Sequence, residues 1–275
     1  MHLFALLAVV GLVAGLLGGL LGIGGSIVVI PCMREILHGQ ARGNQHLYQA
    51  AAMIVNFFVV CPAVYQHIRA RAIVWPIVAR LAPAACVSVV GGVMLSELPV
   101  FRHAGEVYLA GIFGLFLFYV AGVNFHRLFG SGRALAMEKW GPERTMRAGP
   151  VVVGVAVGLV AGLLGVGGGI VSVPLQQRLL RMPLRNAIAN SAVTIIPLSL
   201  IGSFLKNQQL VAHHGFELRE SVFLAAVLIP TAIAGGFVGG RLTHTLPLRA
   251  IRAAFAVLML VAALRMTFRA LAALG

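Results

Sequence analysis

The sequence predicts an all-α polytopic membrane protein of about eight transmembrane helices, arranged as two homologous four-helix repeats whose first helices are broken by glycine. Three observations predict it: a composition too apolar for its own polar residues to cover, a series of long uncharged stretches, and a glycine motif that occurs twice. Of the 275 residues, 60% are apolar and 10% charged, with a mean hydropathy of +0.97. A soluble domain carries roughly a quarter charged residues and under half apolar ones. This composition excludes an ordinary soluble enzyme, a disordered chain and a disulfide-stapled secreted domain.

Charge supports the same class. Lys and Arg number 21 against 7 acidic residues, a formal net charge of +14. The basic residues stand singly or in pairs between apolar runs, the pattern of residues that flank membrane spans and face lipid phosphates. No polar face is large enough to hold a nucleic acid, so membrane lipid is the expected partner and nucleic acid is not. Cys32, Cys61 and Cys86 are odd in number and lack a Cys-x-x-Cys spacing. They read as small apolar core residues and define no disulfide framework or metal site.

The stretches expected to cross the membrane follow in order. A hydrocarbon core of about 30 Å needs about 20 apolar residues. Residues 3–33, 47–66, 72–96 (interrupted by Arg80) and 107–125 form the first four. The first residues lack Lys or Arg and the run is too long for a signal-peptide core, so cleavage is not expected. Residues 126–149 are polar and basic. Residues 148–177, 186–205 and 221–240 follow, and an eighth lies within 248–274, where Arg249, Arg252, Arg265 and Arg269 flank the uncharged centre 253–264 and can snorkel. All are expected to be helical, because every backbone group in hydrocarbon must be paired internally and the ten-residue alternation of a barrel is missing. The organisation is therefore a first repeat over 1–125, a linker over 126–149 and a second repeat over 150–275.

The repeat is direct. Residues 11–31 read GLVAGLLGGLLGIGGSIVVIP and residues 154–174 read GVAVGLVAGLLGVGGGIVSVP, identical at twelve of 21 positions at a constant offset of 143. Gly11, Gly15, Gly19, Gly22, Gly24, Gly25 and Pro31 match Gly154, Gly158, Gly162, Gly165, Gly167, Gly168 and Pro174. Four crossings per half predict parallel repeats about an axis along the membrane normal. Re-entrant hairpins in place of full spans would change that parity. Lys and Arg counts lean towards both termini and the 126–149 loop lying in the cytoplasm.

A 31-residue uncharged run is longer than one span needs. Gly22, Gly24 and Gly25 each weaken a helix by about 1 kcal/mol relative to Ala, and Pro31 and Pro174 each remove a backbone donor. A helix broken at membrane depth is tolerated where it is buried in protein or lines a wet cavity. The N–H groups that open the following helix then make an anion site, helped by the positive end of the helix dipole. On this reading Gly22, Gly24, Gly25, Ser26, Gly165, Gly167, Gly168 and Gly169 bind substrate. Close helix packing is the other reading, and it suits the four-residue spacing of Gly11, Gly15 and Gly19 and of their counterparts.

Polar residues inside spans usually face the protein interior. Asn190, Ser191 and Thr194 cluster on one helix and suit an oxyanion-binding cavity; interhelical hydrogen bonding is the alternative. Asn56, Gln66, Asn124, Gln176 and Gln177 are further polar positions. Arg80, taken as the one deep cation, either snorkels or meets substrate. His67 is a possible proton-linked residue. The uncharged spans contain no Asp or Glu, so ion coupling is not evident. An inside-negative potential favours anion export by about 2.3 kcal/mol per charge per 100 mV.

The paired motifs GLLGIGG (Gly19–Gly25, with Pro31) and GLLGVGGG (Gly162–Gly169, with Pro174) resemble those of the sulfite exporter TauE/SafE family of membrane permeases. His67 and Arg69 near the end of the second span add to the resemblance, which covers nearly the whole chain. It implies an exporter or permease of small anions such as sulfite, sulfonates or related organic acids, in a plasma membrane, the inner membrane of a bacterium. No cofactor is expected. Where such proteins often carry a Thr-Ser pair early in the second span, this chain has Ala51-Ala52, while the second half keeps Asn190-Ser191. A membrane-embedded enzyme is disfavoured, since no nucleophile-and-base or metal-ligand arrangement stands out. A non-transporting scaffold subunit would need the packing glycines but no polar cavity.

Overall fold

The computed structural model describes residues 2–37, 45–96, 148–213 and 216–272, together with 98, 118, 121, 122 and 125. The fourth expected span, with Asn124, and the linker over 126–149 lie almost wholly outside the described residues. The described residues form helices: α1 (His2–Leu21), α2 (Ser26–Ile36), α3 (Gln45–Arg69), α4 (Trp75–Ser96), α5 (Gly149–Leu164), α6 (Gly169–Leu179), α7 (Leu184–His213), α8 (Leu218–Thr245) and α9 (Leu248–Ala272). Among them, five are long and apolar enough to cross a membrane: α1, α3, α4, α7 and α8. Two compact units divide the chain. Residues 1–94 and 141–245 hold α1 to α8; residues 95–140 and 246–275 hold α9, whose arginines punctuate an otherwise apolar helix.

Glycine governs the packing of the first unit. Gly11, Gly15 and Gly19 of α1 rest in turn on the backbone of Leu228, Ala232 and Gly236 of α8. Gly154, Gly158 and Gly162 of α5 rest in the same order on the carbonyls of Leu81, Ala85 and Val89 of α4. Each contact in one pair has its counterpart in the other, and the helices of each pair run in the same direction. At these stripes a side chain on the glycine would strike backbone, which is the small-residue packing that brings membrane helices close. The outward faces are apolar, with Val87 77% and Phe204 63% exposed, as lipid-facing positions must be.

Helix directions follow from further contacts. Gly236 and Gly240 of α8 meet Val59 and Ala63 of α3, so α3 runs with α8 and α1. Near the start of α7, Asn186 Nδ2 donates to the Ala72 carbonyl (2.8 Å) and Asn190 Oδ1 accepts from Val74 N (2.8 Å), both just past the end of α3. Near the end of α7, Leu210 packs with Leu47 and Ala50 from the start of α3. Helices α3 and α7 are therefore antiparallel. Gly202 of α7 meets both Met53 of α3 and Val89 of α4, which sets α4 antiparallel to α3. Helix α5, which follows α4, thus opposes α1.

Each glycine motif is a hairpin. Gly25 faces Ala14, and a methyl on Gly25 would lie 3.4 Å from Ala14 Cβ. Its counterpart Gly168 faces Val157 and Ala161. A helix that continued across the membrane would carry residue 25 away from residue 14; here the chain has turned back. In the second motif the return is complete, because a methyl on Gly149 at the start of α5 would lie 2.7 Å from Leu180 Cδ2, just past the end of α6. Of the two arrangements the sequence left open, a broken span and a hairpin, the contacts show the hairpin. The expectation of parallel halves is corrected accordingly, since the matched helices α3 and α7, and α1 and α5, run in opposite directions. The starts of α1 and α5 consequently lie at opposite ends of this unit, which removes the expectation that the N-terminus and the entry to α5 share one side. The physical cause is the glycine turn, which reverses the chain within four residues.

Candidate functional site

The reversal needs left-handed backbone. Gly22, Gly24, Gly165, Gly167 and Gly168 have φ between 63° and 76°, a region closed to most side chains. Gly165 caps α5 in this conformation, its N–H donating to the Ala161 carbonyl (2.9 Å). Gly168 precedes α6 at φ 74°. Pro31 and Pro174 lie inside α2 and α6, which are only 11 residues long, about 16 Å at 1.5 Å per residue. Both helices begin at the turn and carry their positive dipole ends into the protein interior.

The two turns meet. A methyl on Gly169 would lie 2.6 Å from the Gly22 carbonyl and would also strike Ile23. Ser191 Oγ donates to the same Gly22 carbonyl (2.6 Å). Gly22 stands against Ile188 of α7, and Gly165 against Gln49 of α3. Asn56 of α3, fully buried, is wedged between the turns. Its Oδ1 accepts from Ser26 N (2.9 Å) and its Nδ2 donates to Ser26 Oγ (3.1 Å). A methyl on Gly24 would lie 2.7 Å from Asn56 Oδ1, and one on Gly167 would lie 2.5 Å from Asn56 Nδ2.

The two turns differ chemically. At the first, the N–H that opens α2 belongs to Ser26 and is taken by Asn56. At the second, Ile195 faces Gly167 on the side of α7, and an apolar side chain accepts nothing. The N–H groups of Gly169 and Ile170 have no acceptor among the described residues, whereas Val171 and Ser172 donate to the Gly168 carbonyl. The buried Gln49 beside Gly165 carries a carboxamide oxygen without a partner among those residues. Gln176 of α6 donates to Ser172 Oγ (2.8 Å), and its oxygen is likewise unpartnered. The arrangement therefore offers an anion open backbone donors at a helix N-terminus, in a dry interior where each is worth more than in water.

The other expected residues are placed as follows. Asn190, Ser191 and Thr194 are buried, and all three are engaged in internal bonds: Asn190 with Val74 N and Met182 Sδ, Ser191 with Gly22 O, and Thr194 with Asn190 O (2.8 Å). Of the three, Ser191 is the one bonded to the first turn. Arg80 is exposed on α4. The expectation that it is the one deep cation is corrected by Lys206 of α7, which is 2% exposed. Lys206 was missed because the uncharged run ends at Leu205, whereas the helix continues to His213. His67 is fully buried at the end of α3 and pairs with His244 of α8, 177 residues away, a partner that spacing could not reveal. Asn56 and Gln49 were visible only as isolated polar letters.

Two glycine-turned helix hairpins packed among several helices apolar and long enough to cross a membrane define a multi-pass membrane protein. The chain belongs to the sulfite exporter TauE/SafE family, whose model matches residues 7–266. It is 28% identical over 94% of its length to the "Probable membrane transporter protein MamO" of Magnetospirillum gryphiswaldense, of which it spans 44%. It is 27% identical to a "Probable membrane transporter protein" of Haemophilus influenzae, over 97% of this chain and 99% of the relative. A namesake from Methanocaldococcus jannaschii is 27% identical over 74% of this chain and 72% of its own. No solved structure matches. Family and relatives alike describe a transporter and not an enzyme.

Proposed function

We propose that this protein is a permease or exporter of small anions such as sulfite, sulfonates or related organic acids, which bind between the two glycine turns. The observation that carries this reading is the meeting of the turns around Asn56, with the N–H groups of Gly169 and Ile170 left open at the start of α6. Neutral donors suit transport, because binding must be weak enough for release. We also propose an architecture of two inverted repeats over 1–125 and 150–275, joined by the 126–149 linker, each with one hairpin and three crossings. The matched contacts of α1 with α8 and of α5 with α4 support it, as does the opposition of α3 and α7. The bacterial inner membrane is the proposed location.

Purified protein in liposomes loaded in turn with radiolabelled sulfite, thiosulfate, taurine and sulfate tests the reading. At least one anion is expected to leave faster than from protein-free vesicles loaded alike, chemically unchanged, with Gly167→Leu abolishing the excess. Equal leakage with and without protein for every anion would overturn it.

A further inference from the structure

The ends of α3 and α8 hold a second polar device, away from the glycine turns. His67 Nδ1 and His244 Nε2 are 2.8 Å apart, with the rings edge to face and their centroids 5.1 Å apart. His67 is fully buried and His244 is half-buried. A nitrogen-to-nitrogen contact at this distance needs one proton between the rings. Whichever ring supplies it, the other nitrogen of His67, Nε2, is buried without a partner among the described residues. Buried polar nitrogens are otherwise paired in folded proteins, so an orphan beside an already bonded pair calls for an explanation. Packing does not provide one, since Gly240 against Ala63 already joins the two helices one turn away.

We propose that His67 and His244 form the proton-binding site of the transporter, taking up one proton for each anion carried. The inference rests on the transport reading. Imidazole is the side chain suited to exchanging a proton near neutral pH. The uncharged spans lack the carboxylates that commonly relay protons in membrane carriers, so this pair fills a role otherwise unassigned. The charged groups around it are consistent with a single proton. Arg185 of α7 acts electrostatically on His244. On α3, Arg69 stacks over Tyr65, 5.9 Å from the ring centroid, and on α8, Arg241 is exposed. On α1, the near residue Leu20 meets the hydroxyl of Thr243 through its carbonyl (2.8 Å). A second positive charge on the pair would therefore meet that of Arg185. In the conformation seen here His67 is closed off, while His244 is half-buried. A proton enters when the packing of α3 on α8 opens to water, and leaves from the shared N–H···N position when the opposite side opens. The proton is bound and released unchanged, so no other reactant is needed.

The test uses thiosulfate, which holds no proton near neutral pH, in proteoliposomes clamped at zero potential and containing a pH-sensitive dye. Wild type is expected to move protons with thiosulfate and to accumulate it about tenfold against a one-unit pH gradient. His67→Gln and His244→Gln are expected to carry thiosulfate down its own gradient while losing both effects. Proton movement retained by both variants, or its absence from a wild type that carries thiosulfate, would overturn the proposal. Should wild type carry no thiosulfate, nitrogen NMR of histidine-labelled protein in nanodiscs decides independently. Coupled titration of both rings as a one-proton unit between pH 5 and 8, abolished for His67 in His244→Gln, is expected; two rings that titrate independently, or not at all, would refute the pair.

Discussion

Replacing Gly24 by alanine tests how the first turn is held. At φ 76° an L-residue costs roughly 1–2 kcal/mol. The new methyl would lie 2.7 Å from Asn56 Oδ1 and 3.0 Å from its Cγ, so the carboxamide must move. That carboxamide makes two bonds to Ser26, at 2.9 and 3.1 Å, and weakening each costs about 1 kcal/mol. The single variant is therefore expected to lose about 2–4 kcal/mol. Asn56→Ala removes the same bonds and leaves the buried Ser26 N–H unpaired, which costs about 1–3 kcal/mol. Because the two changes share those bonds, the double variant loses them once. Its destabilisation should fall short of the sum by about 1–2 kcal/mol. The assay is reversible unfolding in mixed micelles by added dodecyl sulfate, followed by tryptophan fluorescence. Additivity within about 0.5 kcal/mol would show that Gly24 and Asn56 do not compete for one space.

Three further outcomes are expected. Gly167→Leu, which drives a side chain into Asn56 Nδ2, should abolish anion flux in liposomes even where the protein still inserts and purifies as a single species. Asn190→Ala should lower unfolding stability by about 1–2 kcal/mol, because it frees Val74 N between α3 and α4, with substrate preference unchanged in competition assays. Lys206→Gln should reduce flux at least tenfold while Arg80→Gln changes it by less than about threefold, since buried charges in membranes are functional and exposed arginines snorkel.

How much of this was legible depended on whether the signal was local. The all-helical class, the repeat and the positions of the turns could be read directly, because Gly22, Gly24, Gly165 and Gly167 stand in register and glycine is what a left-handed turn requires. What the turns do could not be read. A glycine cluster that breaks a helix and one that reverses it have the same letters, and the difference lies in whether Gly25 meets Ala14. Long-range partners were equally hidden. His67 could be singled out as a proton-linked residue, but only the packing of α3 on α8 brings His244 to it. Asn190, Ser191 and Thr194 drew attention as a polar cluster, yet their groups are bonded to Val74, Gly22 and their own helix. Sequence identifies buried polar residues well and their bonding partners poorly.

The inequality of the two halves argues for one site and not two. Residue for residue, the turns are alike, and a perfect duplication would place two equivalent donors about the centre. Here Asn56 on α3 takes the first N–H of α2, that of Ser26, and the facing position beside Gly167 is Ile195, which takes none from α6. The polarity is reversed one turn earlier, where Ala51 and Ala52 lie opposite the duties that Asn190 and Ser191 perform in the second half. Each half thus supplies what the other lacks: the first helix pair is braced by side chains and the second offers backbone. On the proposed reading, a single small anion would satisfy the open donors of Gly169 and Ile170 while Asn56 fixes the distance between the turns. Restoring symmetry with Ile195→Asn would give α6 its own acceptor, so that variant should keep its fold and lose anion binding measured by equilibrium dialysis.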